Sequence, residues 1–545
     1  MAPSHEPLLS SPTNKKTSLP CKAFLFTLSL ATIISLTTLI TIHFSTTNPS
    51  QPSHLCATSP NPSSCNVIVS DALLLASTSA PLKPTPLDVF RAIADRSVAE
   101  INAAAAAAVD LRLRVRDPRQ QSALADCAQL LDLSRDRLLA ASATSSIADA
   151  RTWTSAALTN YATCLDGAGA ALHASVAPLK SLASAALAVL TAAGGKPSHD
   201  DDDVANLVLS FPSWVSHHDR KLLEATSAKD IKADVVVAAD GSGKFKKVQE
   251  GVDSAPDKGT KRYVIYVKKG VYKENVSLGK KKTNVMIVGD GMDSTVISGS
   301  LNVVDGSTTF NSATLAAVGD GLILQDLKIE NTAGPQKHQA VALRVGADRS
   351  AINRCRLDGY QDTLYAHSLR QFYRDSSISG TVDFIFGNAA VVFQNCDLVA
   401  RRPMDKQKNL VTAQGREDPN QNTGTSIQSC HVTPSADLAP VKKQFPTYLG
   451  RPWKAYSRTV FLQSTIEDHV DPKGWLEWDG EFALKTLFYG EYQNRGPGAG
   501  TAGRVKWPGY NVITDPEVAK RFTVASLIQG GAWLKGTGVA FTEGL

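Results

Sequence analysis

Three textures follow one another along this chain of 545 residues. Residues 23–44 are almost wholly apolar or hydroxylic and hold no Asp, Glu, Lys or Arg. That is long enough to cross a bilayer. From residue 56 to about 195 the chain is rich in Ala and Leu. Leu124, Cys127, Leu130, Leu131 and Leu138 recur at helical spacing. Helices are predicted from Pro86 and over residues 122–141, 147–164 and 170–190, packed as an antiparallel bundle. From residue 233 the pattern changes to short β-branched runs broken by Gly, Asn and Asp. Examples are Tyr263–Val267 and residues 285–288, 313–318, 340–345 and 390–393. Apolar anchors at Ile329, Leu357, Ile378 and Leu398 are 28, 21 and 20 residues apart. One repeat of that length is one coil of a parallel β-helix. Helical patterns are sparse here, which argues against a Rossmann sheet or a TIM barrel.

These shifts divide the chain into a tail (1–22), an apolar segment (23–44), a Ser/Thr/Pro-rich spacer (45–55), a helical domain (56–195), a linker (196–232) and a β domain (233–545). Lys15, Lys16 and Lys22 precede the apolar segment, so the tail is expected in the cytosol and the rest in the lumen, behind a signal anchor. An oxidising compartment follows, in which cysteines can pair. Asn275-Val276-Ser277 is a glycosylation acceptor. In the linker, Asp200-Asp201-Asp202-Asp203 reads as a solvated loop and Arg220-Lys221-Leu222-Leu223 as a basic processing step.

The net charge of +6 is uneven. From Glu224 onward there are 40 Lys and Arg against 34 Asp and Glu, with 17 of each before. The mild excess suits an acidic polymer and is too small to imply nucleic acid. Stacked coils would bring Cys396 and Cys430 together, each two residues before an apolar anchor, and a disulfide between them is expected. Cys355 is left without an evident partner.

The chemistry concentrates in two segments of equal phase. Leu357-Asp358-Gly359-Tyr360-Gln361-Asp362 and Ile378-Ser379-Gly380-Thr381-Val382-Asp383 both read apolar, x, Gly, x, x, Asp. On adjacent coils the two carboxylates would lie roughly 5 Å apart. Two such charges cannot both ionise easily, so one becomes an acid and the other a nucleophile or base. Gln339 and Gln361 supply amides able to hold an oxyanion. Arg451 is the kind of residue that pairs a buried Asp383. Tyr365, Phe386, Tyr448 and Trp453 offer flat faces for sugar rings. The chain has no G-x-S-x-G, Walker, C-x-x-C or H-E-x-x-H motif, and its His residues show no ligand spacing, which argues against a metal enzyme.

The back half resembles the plant pectin methylesterases. The carriers are Ala239-Asp240-Gly241-Ser242-Gly243, Gly270-Val271-Tyr272-Lys273-Glu274, the segment 339–344, Gly359-Tyr360-Gln361-Asp362-Thr363-Leu364-Tyr365, the segment 380–387 and Leu449-Gly450-Arg451-Pro452-Trp453. The front half resembles the pectin methylesterase inhibitor domain through its four cysteines and the segment 152–167. The resemblance implies a right-handed parallel β-helix behind a four-helix bundle, with disulfides Cys56–Cys65 and Cys127–Cys164. It implies Asp383 as nucleophile, Asp362 as acid and base, Gln339 and Gln361 at the oxyanion, Arg451 orienting Asp383, and Phe386, Tyr448 and Trp453 along the sugar groove. The implied partners are methyl-esterified homogalacturonan, proteinaceous inhibitors and a subtilisin-like protease acting near Arg220. The implied destination is the plant cell wall. The resemblance also implies that no metal or organic cofactor is needed. The family often carries a cysteine at the position of Ser376. A β-helical pectate lyase or polygalacturonase, and a non-enzymatic inhibitor or wall-binding protein, are the competing readings. The Ca²⁺ cluster that a lyase needs and the acids that a glycosidase needs are not evident, and the intact Gln, Asp and Arg set argues against a non-enzymatic protein.

Overall fold

A computed structural model describes residues 51–79, 84–194 and 232–545. The anchor, the four acids at 200–203 and the step at 220–223 lie outside the described residues.

Among the described residues six helices form the front domain: α1 Pro52–Leu55, α2 Pro62–Ser79, α3 Pro86–Arg114, α4 Pro118–Ala143, α5 Ile147–Ala168 and α6 Ala170–Ala193. Their ends obey local chemistry. Thr85 and Asp88 close a capping box on α3, with Pro86 at the first helical position. Asp117 and Ser146 accept backbone N–H groups at the starts of α4 and α5. Gly169, at φ 55°, turns the chain from α5 into α6. Helices α3 to α6 are the expected bundle. The pair α1 and α2 was not foreseen from the helical spacing, and α2 leaves Val67, Leu74 and Leu75 exposed. Cys56–Cys65 ties α1 to α2 and Cys127–Cys164 ties α4 to α5. The helix α6 is long and apolar enough to cross a membrane, but it packs inside the bundle, with Leu187, Ala188, Val189 and Leu190 wholly buried.

The back domain is a parallel β-helix of three sheets with eleven, seven and eight strands among the described residues. The predicted anchors stack in register. Ile297, Ile329, Leu357, Ile378, Leu398, Val432 and Ile466 pair from strand to strand along one sheet. Each points inward and is buried, and this column is the axis of the core.

The expected Cys396–Cys430 disulfide is absent. Both are free, buried thiols, as is Cys355. The two do lie on adjacent coils, where the Cys396 N–H meets Cys430 Sγ at 3.4 Å. In-register stacking repeats each side chain in the same direction, whereas a disulfide needs the two Cβ–S bonds turned about 90° from each other. Backbone-to-side-chain bonds of the same kind recur along this column. The Cys355 N–H donates to Ser376 Oγ and the Cys430 N–H to Ser464 Oγ, each at 3.1 Å.

The bundle rests on the β-helix. Arg137 grips Asp320 through two bonds of 2.6 Å. The Trp153 indole N–H donates to Asp348 Oδ2 at 3.1 Å. Asn388 Nδ2 donates to Thr159 Oγ1 at 2.8 Å, and Gln421 Nε2 to the Ser155 carbonyl at 3.0 Å. One apolar cluster runs from the bundle core into Phe310, Val341, Tyr365 and Phe386 of the β-helix.

Candidate active site

The seven-stranded sheet carries the site. Its outward positions form one row in register: Ala316, Arg344, Tyr365, Phe386, Ala413 and Arg451. The row exists because side chains alternate along a strand, so that Leu343 and Val345 enter the core while Arg344 between them faces outward.

Asp362 and Asp383 sit on the turns that lead into two adjacent strands of this sheet, Leu364–Ala366 and Ile385–Gly387. Both have left-handed backbones, at φ 65° and 51°. The glycine three residues before each is dictated by crowding. A Cβ on Gly359 would meet Thr363 Oγ1 at 2.7 Å, and one on Gly380 would overlap the Phe384 side chain. The repeated Gly-x-x-Asp is therefore a turn that folds tightly on itself and presents a carboxylate to the cleft. The Asp362 N–H donates to the Val382 carbonyl at 3.0 Å, which locks the two turns one coil apart.

The two carboxylates differ in what holds them. Arg451 reaches Asp383 with a fork, Nε to Oδ1 at 2.9 Å and Nη2 to Oδ2 at 2.7 Å. Burial raises the Asp383 pKa, and the hydrogen bond and charge of Arg451 pull against it. Asp362 makes no such pair. Burial, then the charge of Asp383, raises its pKa well above the ordinary value, with Arg451 opposing from farther away. Asp383 is therefore the first of the two to ionise, and Asp362 is the one that keeps its proton.

Around them lies a cavity of about 390 Å³ lined by Gln339, Gln361, Tyr365, Phe386, Trp453 and Trp478 among others. The predicted amides of Gln339 and Gln361 converge there, and their side chains make no hydrogen bond among the described residues. Tyr365 and Phe386 stack with centroids 4.1 Å apart, and Trp453 stands edge-on to both. Tyr448 lies outside this cavity. It packs on Val382 and Leu410, with its hydroxyl 3.4 Å from Asp471. Leu449 beside it enters the core, so Tyr448 faces outward, in register with Leu410 and nearer the start of the strand than Arg451. Trp478 was missed. It is 38% exposed, and Arg451 lies over its ring at 4.3 Å. It comes from a loop after the sheet, and no periodic pattern marks it. Asn275 is exposed, with its side-chain amide donating to the Ala313 carbonyl at 3.1 Å.

The bundle closes one side of the same cavity. Asp126 of α4 and Thr163, Asp166 and Gly167 of α5 line it together with the catalytic candidates. Thr163 Oγ1 lies 3.0 Å from His367 Nε2, and Lys454 reaches Asp166 at 2.7 Å. Asp126 accepts from Thr308 and Asn311 of the β-helix, and burial pushes its pKa up to about 6 against those bonds and the charge of Arg344.

Comparison with known proteins places this geometry. A sequence model of the family described as Pectinesterase matches residues 234–531. A second, Plant invertase/pectin methylesterase inhibitor, matches residues 50–189. The chain is 55% identical over 501 residues to Pectinesterase 2.1 of Solanum lycopersicum, covering 90% of each. It is 50% identical to Pectinesterase/pectinesterase inhibitor 18 of Arabidopsis thaliana, covering 100% of each. Among solved structures, Pectin methylesterase from Carrot is 60% identical with a TM-score of 0.57, covering 58% of this chain and 99% of that one.

Proposed function

Since the chain belongs to the pectinesterase family and carries an inhibitor-like domain in front of its enzyme half, we propose that Asp383 and Asp362 divide the hydrolysis of pectin methyl esters between them. The observation that carries this is the asymmetry of the pair: Arg451 grips Asp383 alone. Ionised Asp383 attacks the C6 ester carbonyl of a galacturonate. The oxyanion that forms takes hydrogen bonds from Gln339 and Gln361. Collapse breaks the C–O bond to the methoxy group, and protonated Asp362 gives its proton to the departing methanol. The result is an acyl link on Asp383. Asp362, now ionised, takes a proton from water, which attacks that link and releases the free carboxylate and Asp383. Tyr365, Phe386, Trp453 and Trp478 hold the sugar rings over the pair.

The bundle restrains the enzyme before it leaves the cell. Four of its residues share the cavity of the catalytic pair, where a polymer strand would have to lie. Cleavage near Arg220-Lys221-Leu222-Leu223 by a subtilisin-like protease would release residues from about 224 onward, which include the whole β domain. The segment 23–44 anchors the precursor in the secretory membrane, Asn275 carries a glycan, and the mature enzyme acts in the cell wall, where free inhibitor bundles can dock on the same face.

The test is methanol release from highly methylated pectin by residues 233–545 and by the lumenal precursor from residue 45. Release from the fragment and little from the precursor is expected. Equal release from both would assign the bundle to folding or sorting. A folded fragment that yields no methanol would move the reading to a non-enzymatic protein, or to a lyase if unsaturated ends appear.

A further inference from the structure

Arg344 is out of keeping with the rest of the cleft row. Its neighbour in register, Tyr365, and the next, Phe386, are aromatic. Its guanidinium lies on the Phe310 ring, 3.4 Å from the centroid. The residue is 3% exposed, yet its Nε and Nη1 make no hydrogen bond. A buried guanidinium with vacant donors is costly unless something completes it. No carboxylate reaches ion-pair distance of it among the described residues.

The anionic group that acts on it most is Asp126, which belongs to the bundle. Asp126 is held by Thr308 and Asn311, beside Phe310, and lines the cavity of the catalytic pair. His367 is kept neutral by burial and by Arg344 itself, with its pKa down to about 3. Arg344 is therefore a buried cation in the cleft row without an ion-pair partner among the described residues, and the bundle brings a carboxylate toward it.

We propose that Arg344 binds a free carboxylate of the polymer, that of a galacturonate already de-esterified, and that Asp126 stands in that carboxylate's place in the full chain. This rests on the pectinesterase reading. The planar fork of arginine matches a carboxylate and gains little from a neutral methyl ester. Arg344 lies on the coil before Tyr365, two coils from the turn of Asp383, which is roughly 10 Å along the axis. The carboxylate it takes therefore belongs to a neighbouring sugar and not to the reacting one. Arg344 is a specificity residue that favours pectin with de-esterified units next to the ester under attack.

The experiment uses the fragment 232–545, since the carrot chain, matched over 99% of its length by 58% of this one, folds without a bundle. Arg344→Gln and Arg344→Lys are compared with the unaltered fragment. The probes are a fully de-esterified trigalacturonate as inhibitor and two pectins of high and low methylation. Arg344→Gln is expected to raise the trigalacturonate Ki about tenfold or more, as loss of a charge-assisted pair does. It should raise KM more on low-methyl than on high-methyl pectin. Arg344→Lys, with charge but no fork, should fall between. If Arg344→Gln does not fold, the Lys variant carries the comparison through a Ki raised severalfold. An unchanged Ki in a folded variant, or equal KM changes on both pectins, would reduce Arg344 to packing on Phe310. An unaltered fragment that binds trigalacturonate through Arg344 but releases no methanol would overturn the esterase reading and leave the carboxylate site standing.

Discussion

Asp362 and Asp383 occupy the same phase of adjacent coils, and only Asp383 is held by an arginine fork. Their sequence settings are almost interchangeable. Their chemistry is separated by one residue, Arg451, which arrives from three strands farther along the row than Tyr365.

Replacing the nucleophile tests the assignment directly. Asp383→Asn keeps the shape of the side chain and loses its charge. Methanol release should fall by about 10³-fold or more while thermal unfolding stays cooperative. A variant that keeps more than a tenth of the rate would mean that another group attacks the ester.

The pH–rate profile should be bell-shaped. The proposed attack needs Asp383 ionised, so activity should fall as pH drops through that group's raised pKa. It also needs Asp362 protonated, so activity should fall again as pH rises past a value well above the ordinary carboxylate range. Arg451→Gln removes what pulls the Asp383 pKa down, so the acid limb should move to higher pH and the bell should narrow. An acid limb that stays in place in this variant would disconnect Arg451 from the ionisation of Asp383.

Function here works against stability. The pKa of Asp362 is higher in the folded chain than unfolded. Its contribution is fully present below the unfolded pKa near ~4 and is lost as pH rises through the folded value. Asp362→Asn mimics the protonated acid at every pH. It should lose turnover yet raise Tm near neutral pH by about 2–4 °C, with the gain shrinking toward pH 4. A lower Tm at pH 7 in this variant would contradict the direction.

The docked bundle should loosen as pH rises. Asp126 has its pKa up to about 6 when it is buried against Thr308, Asn311 and Arg344. Docking therefore favours its protonated form, and that contribution is lost as pH climbs through about 6. The ratio of precursor to fragment activity should rise across this range, and Asp126→Asn should flatten the rise. A ratio independent of pH would remove Asp126 from the latch.

The thiols give a simple count. Unfolded without reductant, residues 232–545 should show three reactive thiols, from Cys355, Cys396 and Cys430. A count of one would mean that Cys396 and Cys430 pair after all.

Legible along the chain alone is whatever repeats or acts locally. The apolar anchors at intervals of 28, 21 and 20 dictate stacked coils, because each coil must bury one residue of that phase. The repeated Gly-x-x-Asp dictates two crowded turns and, through equal phase, two neighbouring carboxylates. Thr85, Asp88, Asp117 and Ser146 start helices by bonding their own backbone. The tertiary structure decided what depends on partners far along the chain. Arg451 meets Asp383 across 68 residues only because three coils stack in register. Tyr448 lies outside the cavity of the catalytic pair because register stacks it on Leu410, and Cys396 and Cys430 remain thiols because stacked side chains run parallel. The docking of Asp126 and Thr163 over the cleft, and the isolation of Arg344 beneath them, come from the meeting of two domains that no period along the chain encodes.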